Sequence, residues 1–251
     1  MTTPAAPAGP PRPPRRLATL AETALLTPAV RLLRLRLLEA EAGDAPFDFS
    51  PGQWVALELP LPEQRLPRAY SLASRPTELP FFDVIVTHVP DSAAANYLWA
   101  LEPGATLEFT GPFGTFVLPE TLTAPVILMA TGTGVAPLRP MIHTLLARAE
   151  APPSITLLFG ARTEDDLLYR EEFEALAEED PRFVYGPVLS RAPDTWEGAR
   201  GYVQAALVTL IADQPKSHVF ACGLRRMVDD VRQFLGARGV PRGQIHFERY
   251  D

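Results

Sequence analysis

The sequence predicts two units in tandem, a small antiparallel β-barrel followed by an α/β unit built on a parallel sheet. Three observations carry that prediction. Between Leu17 and Leu118 short apolar runs recur between turn residues, with a single helical candidate near Ala93–Ala100, which is the rhythm of a small barrel. Beyond Pro125, buried-strand runs alternate with helical stretches, which implies βαβ units and a parallel sheet. A chain of 251 residues is also long enough to bury two cores of ordinary size. The expected division is a mobile, proline-rich tail over 1–16, a barrel over 17–121 and an α/β unit over 122–251.

Taken in order, Val30 to Leu37 alternates over its second half, as a half-buried strand does. Ser50-Pro51-Gly52 is a turn feeding a strand over Gln53–Leu59. Strands are expected over Phe81–Val86 and Thr106–Thr110. The rhythm then changes at Pro125–Ala130, a nearly continuous apolar run typical of a strand buried on both faces. A glycine turn and a helix to about Ala149 follow. Ile155–Gly160 repeats the strand signal, Leu167–Glu178 reads as helix and Phe183–Pro187 as strand. His218–Cys222, a helix over Arg225–Ala237 and a strand over Gln244–Phe247 complete the series.

Composition narrows the function. Hydrophobic residues make up 47% and charged residues 21%, an ordinary globular balance. No apolar run approaches the roughly 18 residues that span a bilayer. The first sixteen residues hold six prolines, three arginines and no acidic residue, so they lack the apolar core of a secretory signal; a cytoplasmic location is expected. A net charge of −7 argues against nucleic-acid binding. Residues 12–36 reverse the balance, with six arginines against Glu22 alone. Such a stretch is either a docking face for an acidic carrier or a solvated strand. The single cysteine, Cys222, excludes an internal disulfide and a four-cysteine iron–sulfur centre.

Two motifs carry chemistry. Gly132-Thr133-Gly134-Val135-Ala136-Pro137 follows the expected buried strand over Pro125–Ala130 and opens a helix. Glycines let the backbone turn tightly and approach a phosphate, while helix-start amides favour its charge. Pro137 suits a first helical turn, where its missing amide costs little. Upstream, Arg68-Ala69-Tyr70-Ser71 combines a planar fork of donors for phosphate with a flat ring for stacking and a hydroxyl donor. Taken alone, each also reads as ordinary structure: a tight strand–helix connection and an edge strand.

The order of motifs resembles the ferredoxin–NADP reductase superfamily, close to oxygenase reductase modules and cytochrome b5 reductase, over residues 17–251. Phe49-Ser50-Pro51-Gly52-Gln53 fits its F-x-P-G-Q turn, and Arg68 to Ser71 its R-x-Y-S motif, continued by Leu72-Ala73-Ser74. Gly111-Pro112-Phe113-Gly114 fits G-P-x-G and Gly132 to Pro137 fits G-x-G-x-x-P. Ala221-Cys222-Gly223 fits the late C-G element. Phe247-Glu248-Arg249-Tyr250 resembles the closing E-x-aromatic.

The resemblance implies a flavin-binding barrel and an NAD(P)-binding α/β unit. Arg68 would hold the flavin diphosphate, with Ala69 beside it; Tyr70 would stack on the isoalloxazine and Ser71 would reach its N5 edge. Gly111 and Gly114 would shape the flavin turn. Thr131, Gly132, Thr133, Gly134 and Pro137 would hold the nucleotide pyrophosphate. Cys222 and Gly223 would lie near the nicotinamide, and Tyr250 would cover the other flavin face. Ser71, Cys222 and Tyr250 are the candidate catalytic residues.

The glycine-rich, serine-ending turn expected before the barrel's helix reads here as Asp91-Ser92-Ala93-Ala94-Ala95. Helix-start amides or Ser92 would have to replace its hydroxyl, and Asp91 would repel a phosphate if it pointed inward. FAD is expected, with FMN the alternative. Ser190-Arg191, with Arg200 and Tyr202 ten and twelve residues after the serine, resembles a 2′-phosphate site and favours NADPH over NADH; a surface loop is the plain alternative.

The resulting expectation is a flavin reductase carrying electrons from NADPH or NADH to a separate ferredoxin, flavodoxin or oxygenase component. An iron–sulfur acceptor would have to sit on another molecule. Freestanding reduction of small molecules such as free flavin, or service as a flavin-binding subunit of a larger complex, stays open.

Overall fold

A computed structural model describes residues 13–38, 46–61 and 65–250. Residues 1–12 of the expected tail lie outside this range. The first strand, β1 (Arg15–Thr27), opens two residues earlier than the expected boundary at Leu17. It is followed by β2 (Val30–Leu37), β3 (Trp54–Pro60), β4 (Arg65–Ser71), β5 (Phe81–Thr87), helix α1 (Ala93–Trp99) and β6 (Thr106–Phe113).

These six strands pair antiparallel in the order β4-β3-β6-β1-β2-β5. The two edges meet where the chain leaves β4. The amide of Ala73 donates to the Asp83 carbonyl at 2.8 Å, and the Asp83 amide donates to Ser74 Oγ at 2.9 Å. The sheet is thereby curled into a barrel, which manages its edges. Inside it Phe47, Phe82 and Phe109 meet with ring centroids 5.1–5.8 Å apart, surrounded by buried leucines such as Leu20, Leu35 and Leu57.

Part of the arginine-rich stretch is tied into the barrel. Arg15 pairs with Glu108 at 2.8 Å, and Arg31 donates to Thr23 Oγ1 and the Trp99 carbonyl. Arg34 faces Glu78, Asp83 and Glu22. Arg15 and Arg34 therefore have acidic partners within the barrel, whereas Arg31 is held by neutral acceptors and keeps its charge.

The second unit runs β7 (Val126–Thr131), α2 (Val135–Ala147), β8 (Ile155–Ala161), α3 (Arg170–Glu179), β9 (Phe183–Leu189), β10 (Ala199–Arg200), α4 (Val203–Asp213), β11 (His218–Leu224), α5 (Arg225–Ala237) and β12 (Ile245–Tyr250). Its strands lie in the order β10-β9-β8-β7-β11-β12, all parallel. The order reverses between β7 and β11, and ligands of such sheets bind outside the carboxyl ends at that point. Helices cover both faces. Leu138, Met141, Ile142 and Phe173 of α2 and α3 pack in one core; Leu207, Ile211, Val231 and Leu235 of α4 and α5 pack in the other. The first core also takes in Val30, Ala73 and Ile85 of the barrel, so the barrel docks on the α2/α3 side.

Three elements differ from expectation. The helix expected over Leu167–Glu178 starts at Arg170, because Tyr169 adopts φ 56°, ψ 28° and the chain cannot enter a helix through it. Helix α4 was not foreseen, since VQAALVTLIAD has no polar stripe to betray a 3.6-residue period. The long β1 was also missed; register shifts after Leu20 and Leu25 break its alternation.

Asp83 is a cost within this fold. It is 3% exposed, its Oδ1 accepts no hydrogen bond, and the nearest cation, Arg34, stands 3.8 Å away. Burial pushes its carboxyl up to about 6, against the pull of Arg34. A folded pKa above the unfolded value of about 4 means that the folded state holds the extra proton. Stability is therefore greater below about 4 and is lost as pH rises through 6. Asp83→Asn should flatten this slope, leaving wild type weaker by ~3 kcal/mol at pH 7 and by only ~1 kcal/mol at pH 4.5. Chemical denaturation at both pH values checks it; parallel pH profiles would contradict it.

Candidate active site

Two turns at the carboxyl edge of the parallel sheet press on each other. A Cβ on Gly134 would stand 2.3 Å from the Cys222 carbonyl oxygen and 2.6 Å from Gly223 Cα. Gly223, at φ +135°, would bring a Cβ to 2.3 Å from Thr131 Oγ1. That hydroxyl accepts from the Leu224 amide at 3.0 Å. Only glycine permits so close an approach, and it leaves Gly132–Gly134 as a short 3₁₀ turn running into α2. Pro137 lies in the first turn of α2, as the sequence suggests.

A cavity of about 540 Å³ opens in front of this contact, between the two units. The barrel supplies Arg68, Ala69, Tyr70 and Ser71 from β4, Trp54 from β3, Ile85 to Thr87 from β5, and Ser92, Ala94 and Ala95 at the start of α1. The second unit supplies Thr133 and Ala136, with Glu248, Arg249 and Tyr250 of β12. Its size and its largely apolar walls with few convergent polar groups suit a small-molecule site.

The polar centre is a chain of hydroxyls. Tyr250 Oη donates to Ser71 Oγ at 2.5 Å, and Ser71 Oγ donates to Glu248 Oε1 at 3.1 Å. Glu248 and Tyr250 share a face of β12 because side chains two apart on a strand do. Parallel pairing sets Cys222 beside Glu248 and, further on, Gly223 beside Arg249 and Leu224 beside Tyr250. Burial pushes the Cys222 thiol well up, and the Glu248 carboxylate adds to this. Burial raises Glu248 as well, opposed by the Ser71 hydrogen bond, and raises Tyr250. Tyr70 is pushed up to about 12 by burial despite Arg68 beside it. Burial therefore keeps the thiol and phenols of the site protonated at neutral pH.

The remaining site residues divide into three groups. Gly111 and Gly114 do not line the cavity: Gly114 backs the Trp54 ring, within 2.9 Å of a hypothetical Cβ, and Gly111 packs on Val55. They shape the wall rather than form it. Ser190, Arg191, Arg200 and Tyr202 sit apart, at the carboxyl ends of β9 and β10. Ser190 and Arg191 are exposed, and Tyr202 is 74% exposed. Arg200 differs from expectation, since its guanidinium donates to the carbonyls of Ala192, Pro193, Asp194 and Trp196. It ties the loop together from within.

At the start of α1, Ser92 caps the helix by accepting from the Ala95 amide at 3.3 Å while lining the cavity. Asp91 is exposed and is absent from the cavity wall, so it does not point inward. The donor set suits a flavin dinucleotide: among the described residues the exposed Arg68 makes one long bond, to the Pro67 carbonyl at 3.4 Å, and Tyr70 offers an aromatic face. Sequence reasoning missed Glu248 and Trp54. Glu248 was signalled by its two-residue spacing from Tyr250; Trp54 follows the Pro-Gly-Gln turn directly, without a spacing signal.

The oxidoreductase FAD-binding domain family matches residues 17–118, and the oxidoreductase NAD-binding domain family matches residues 128–233. The chain is 47% identical over 233 residues to ferredoxin–NADP reductase B of Sorangium cellulosum, covering 90% of this chain and 93% of that one. It is 29% identical to the anthranilate 1,2-dioxygenase electron transfer component of Acinetobacter baylyi, over 85% of this chain but 61% of that protein's length. A solved cytochrome P450 reductase of Amycolatopsis superposes on 98% of this chain and 73% of its own with a TM-score of 0.82 at 32% identity.

The turn contact makes a graded prediction. Gly132, at φ +52°, has open space around a hypothetical Cβ, so Gly132→Ala should cost only the left-handed strain of about 1 kcal/mol. Gly134→Ala drives a Cβ into backbone and should cost at least ~2 kcal/mol. Equal losses in denaturant titrations would contradict the close approach.

Proposed function

The chain belongs to the ferredoxin–NADP reductase superfamily, and from that premise we propose that it passes electrons from NADPH through FAD to a separate iron–sulfur ferredoxin. It is an FAD-dependent NAD(P)H oxidoreductase. The observation that carries the fuller reading is the shared cavity, in which Arg68–Ser71 of one unit faces Thr133 and Glu248–Tyr250 of the other.

Bound FAD would supply two-electron acceptance from the nicotinamide and one-electron release to the acceptor, chemistry that belongs to the cofactor. Arg68 would hold the diphosphate by charge, and Tyr70 would stack against the ring. The Ser71 hydroxyl, oriented by Glu248, would present a fixed donor at the reacting edge. Cys222, protonated and buried, would pack beside the nicotinamide without competing as a nucleophile. Tyr250 occupies the space in front of Ser71 and would have to yield to the nicotinamide or stack on the flavin. The Gly132–Gly134 turn and the α2 amides would take the pyrophosphate.

The acceptor is read from chemistry and kinship together. With a single cysteine residues 1–251 cannot build a four-cysteine cluster, so an iron–sulfur acceptor would lie outside them. The relatives named above are a ferredoxin–NADP reductase and a dioxygenase electron transfer component. We place the protein in the cytoplasm; a lone, buried, unpaired cysteine accords with a reducing compartment. Among the described residues no helix is long and apolar enough to cross a membrane.

Preference for NADPH rests on Ser190 and Arg191 at the mouth of the β9 loop, with Arg200 shaping that loop. The test is an anaerobic titration of flavin absorbance with each nucleotide, on wild type and two variants. NADPH should bleach the wild-type flavin at lower concentration than NADH. Arg191→Ala should raise the NADPH dissociation constant about tenfold, equivalent to ~1.4 kcal/mol, and that of NADH less than twofold. Arg200→Ala should weaken both by loosening the loop. A bound flavin that neither nucleotide reduces would overturn the function, and an equal loss for both nucleotides in Arg191→Ala would remove the NADPH preference.

A further inference from the structure

Behind the cavity a partly buried polar cluster joins the two units, and none of the roles assigned above uses it. Arg139 lies on the second turn of α2. Its Nε donates to both Glu172 carboxylate oxygens, at 2.8 and 2.9 Å, and its guanidinium covers the Tyr169 ring at 4.8 Å. His143, one helical turn on, contacts the same carboxylate at 2.6 Å. Arg139 also reaches across to the barrel, where its Nη1 donates to the Ala73 carbonyl at 2.7 Å.

Ala73 is two residues beyond Ser71. Its amide is held by the Asp83 carbonyl of β5 at 2.8 Å, and its carbonyl is held by Arg139. The segment that carries Arg68, Tyr70 and Ser71 is thus pinned by the barrel on one side and by the other unit on the other. Helix α2 has two jobs along one face. Ala136, in its first turn, lines the cavity, and Arg139, three residues later on the same face, grips the backbone behind the cradle.

Burying a guanidinium costs several kcal/mol unless it is paired, and an apolar contact would hold two surfaces together as well. What an arginine adds is direction, because its planar fork fixes where each donor points. Glu172, whose carboxyl is held low by His143 and Arg139 although burial opposes it, keeps that fork in one orientation. The left-handed Tyr169 sets the face on which it lies.

We propose that Arg139 is a positioning residue that fixes the gap between flavin and nicotinamide, by locking the Ala73 carbonyl to the helix that begins at the nucleotide turn. It touches neither cofactor. The proposal rests on the reading of the cavity as the meeting place of the two. A displacement of about 1 Å in such a gap can cost on the order of a hundredfold in rate, whereas each cofactor's own contacts remain intact.

The test compares FAD-loaded wild type with Arg139→Met, Arg139→Lys and Glu172→Gln. Methionine keeps length and packing over Tyr169 but donates nothing; lysine keeps one donor. Four quantities are read: flavin content, the dissociation constant for NADP⁺ by difference spectra, the single-turnover rate of flavin bleaching at saturating NADPH, and hydrogen exchange of a peptide spanning 70–75. Arg139→Met should keep its flavin and bind NADP⁺ within about twofold of wild type, yet bleach at least tenfold more slowly and exchange faster over 70–75. Arg139→Lys should recover part of the rate, and Glu172→Gln should fall between. Bleaching at the wild-type rate in Arg139→Met, or a loss that simply tracks flavin release or weaker NADP⁺ binding, overturns the proposal. If Arg139→Met does not fold, the lysine and Glu172→Gln variants carry the same comparison. If wild type itself is reduced by neither NADPH nor NADH, the reductase reading fails, and unchanged exchange over 70–75 in the variants would still overturn the latch.

Discussion

Everything at this site follows from how closely the turn after β7 approaches the turn after β11. Gly134 lies against the Cys222–Gly223 backbone, with no room for a Cβ on Gly134 or on Gly223. That contact brings two adjacent parallel strands to a shared edge where a phosphate can meet free amides. It also fixes where Cys222 sits, and through strand pairing where Glu248 and Tyr250 of β12 sit. The barrel then has only to present Ser71 at the same point for the hydroxyl chain to close. A side chain at either glycine would separate the turns and undo several alignments at once.

The electrostatics of the centre suit redox work more than acid–base work. Burial keeps the thiol of Cys222 and the phenol of Tyr250 protonated, so neither adds a charge where electron transfer would feel it. Glu248 is the weak point of this arrangement, a half-buried carboxyl raised by burial and steadied by Ser71. The strong charges stand further back. Arg139 and Glu172 neutralise each other at the seam between the units, and Arg34 serves the acids of the barrel. Polar order is thus concentrated where the units meet, and the two cores on either side are apolar.

Much of this could be read from the sequence, for identifiable reasons. The apolar run from Pro125, the two glycines and Pro137 state a strand, a turn and a helix in thirteen residues, and the structure has all three. Arg68–Ser71 lines the cavity as expected, and Thr133 faces it. What escaped reading depends on tertiary partners. Arg200 looks like a free cation in the sequence, but its donors are consumed by four carbonyls of its own loop. Arg139 looks like a polar interruption in a helix, and only the fold brings Ala73 to it. Gly111 and Gly114 mark a real turn, yet they support Trp54 from behind. Helix α4 hid because it is apolar on nearly every face, and β1 because two bulges break its alternation.

The central claim is that flavin and nicotinamide meet face to face in the cavity bounded by Tyr70, Ser71, Thr133 and Tyr250. Rapid anaerobic mixing of the FAD-loaded protein with NADPH, followed at long wavelength, tests it most directly. The account predicts a transient charge-transfer band that forms before the flavin bleaches and decays with it. Bleaching without any such band, at a rate proportional to NADPH concentration and without saturation, would mean that the two rings never stack there, and would contradict it.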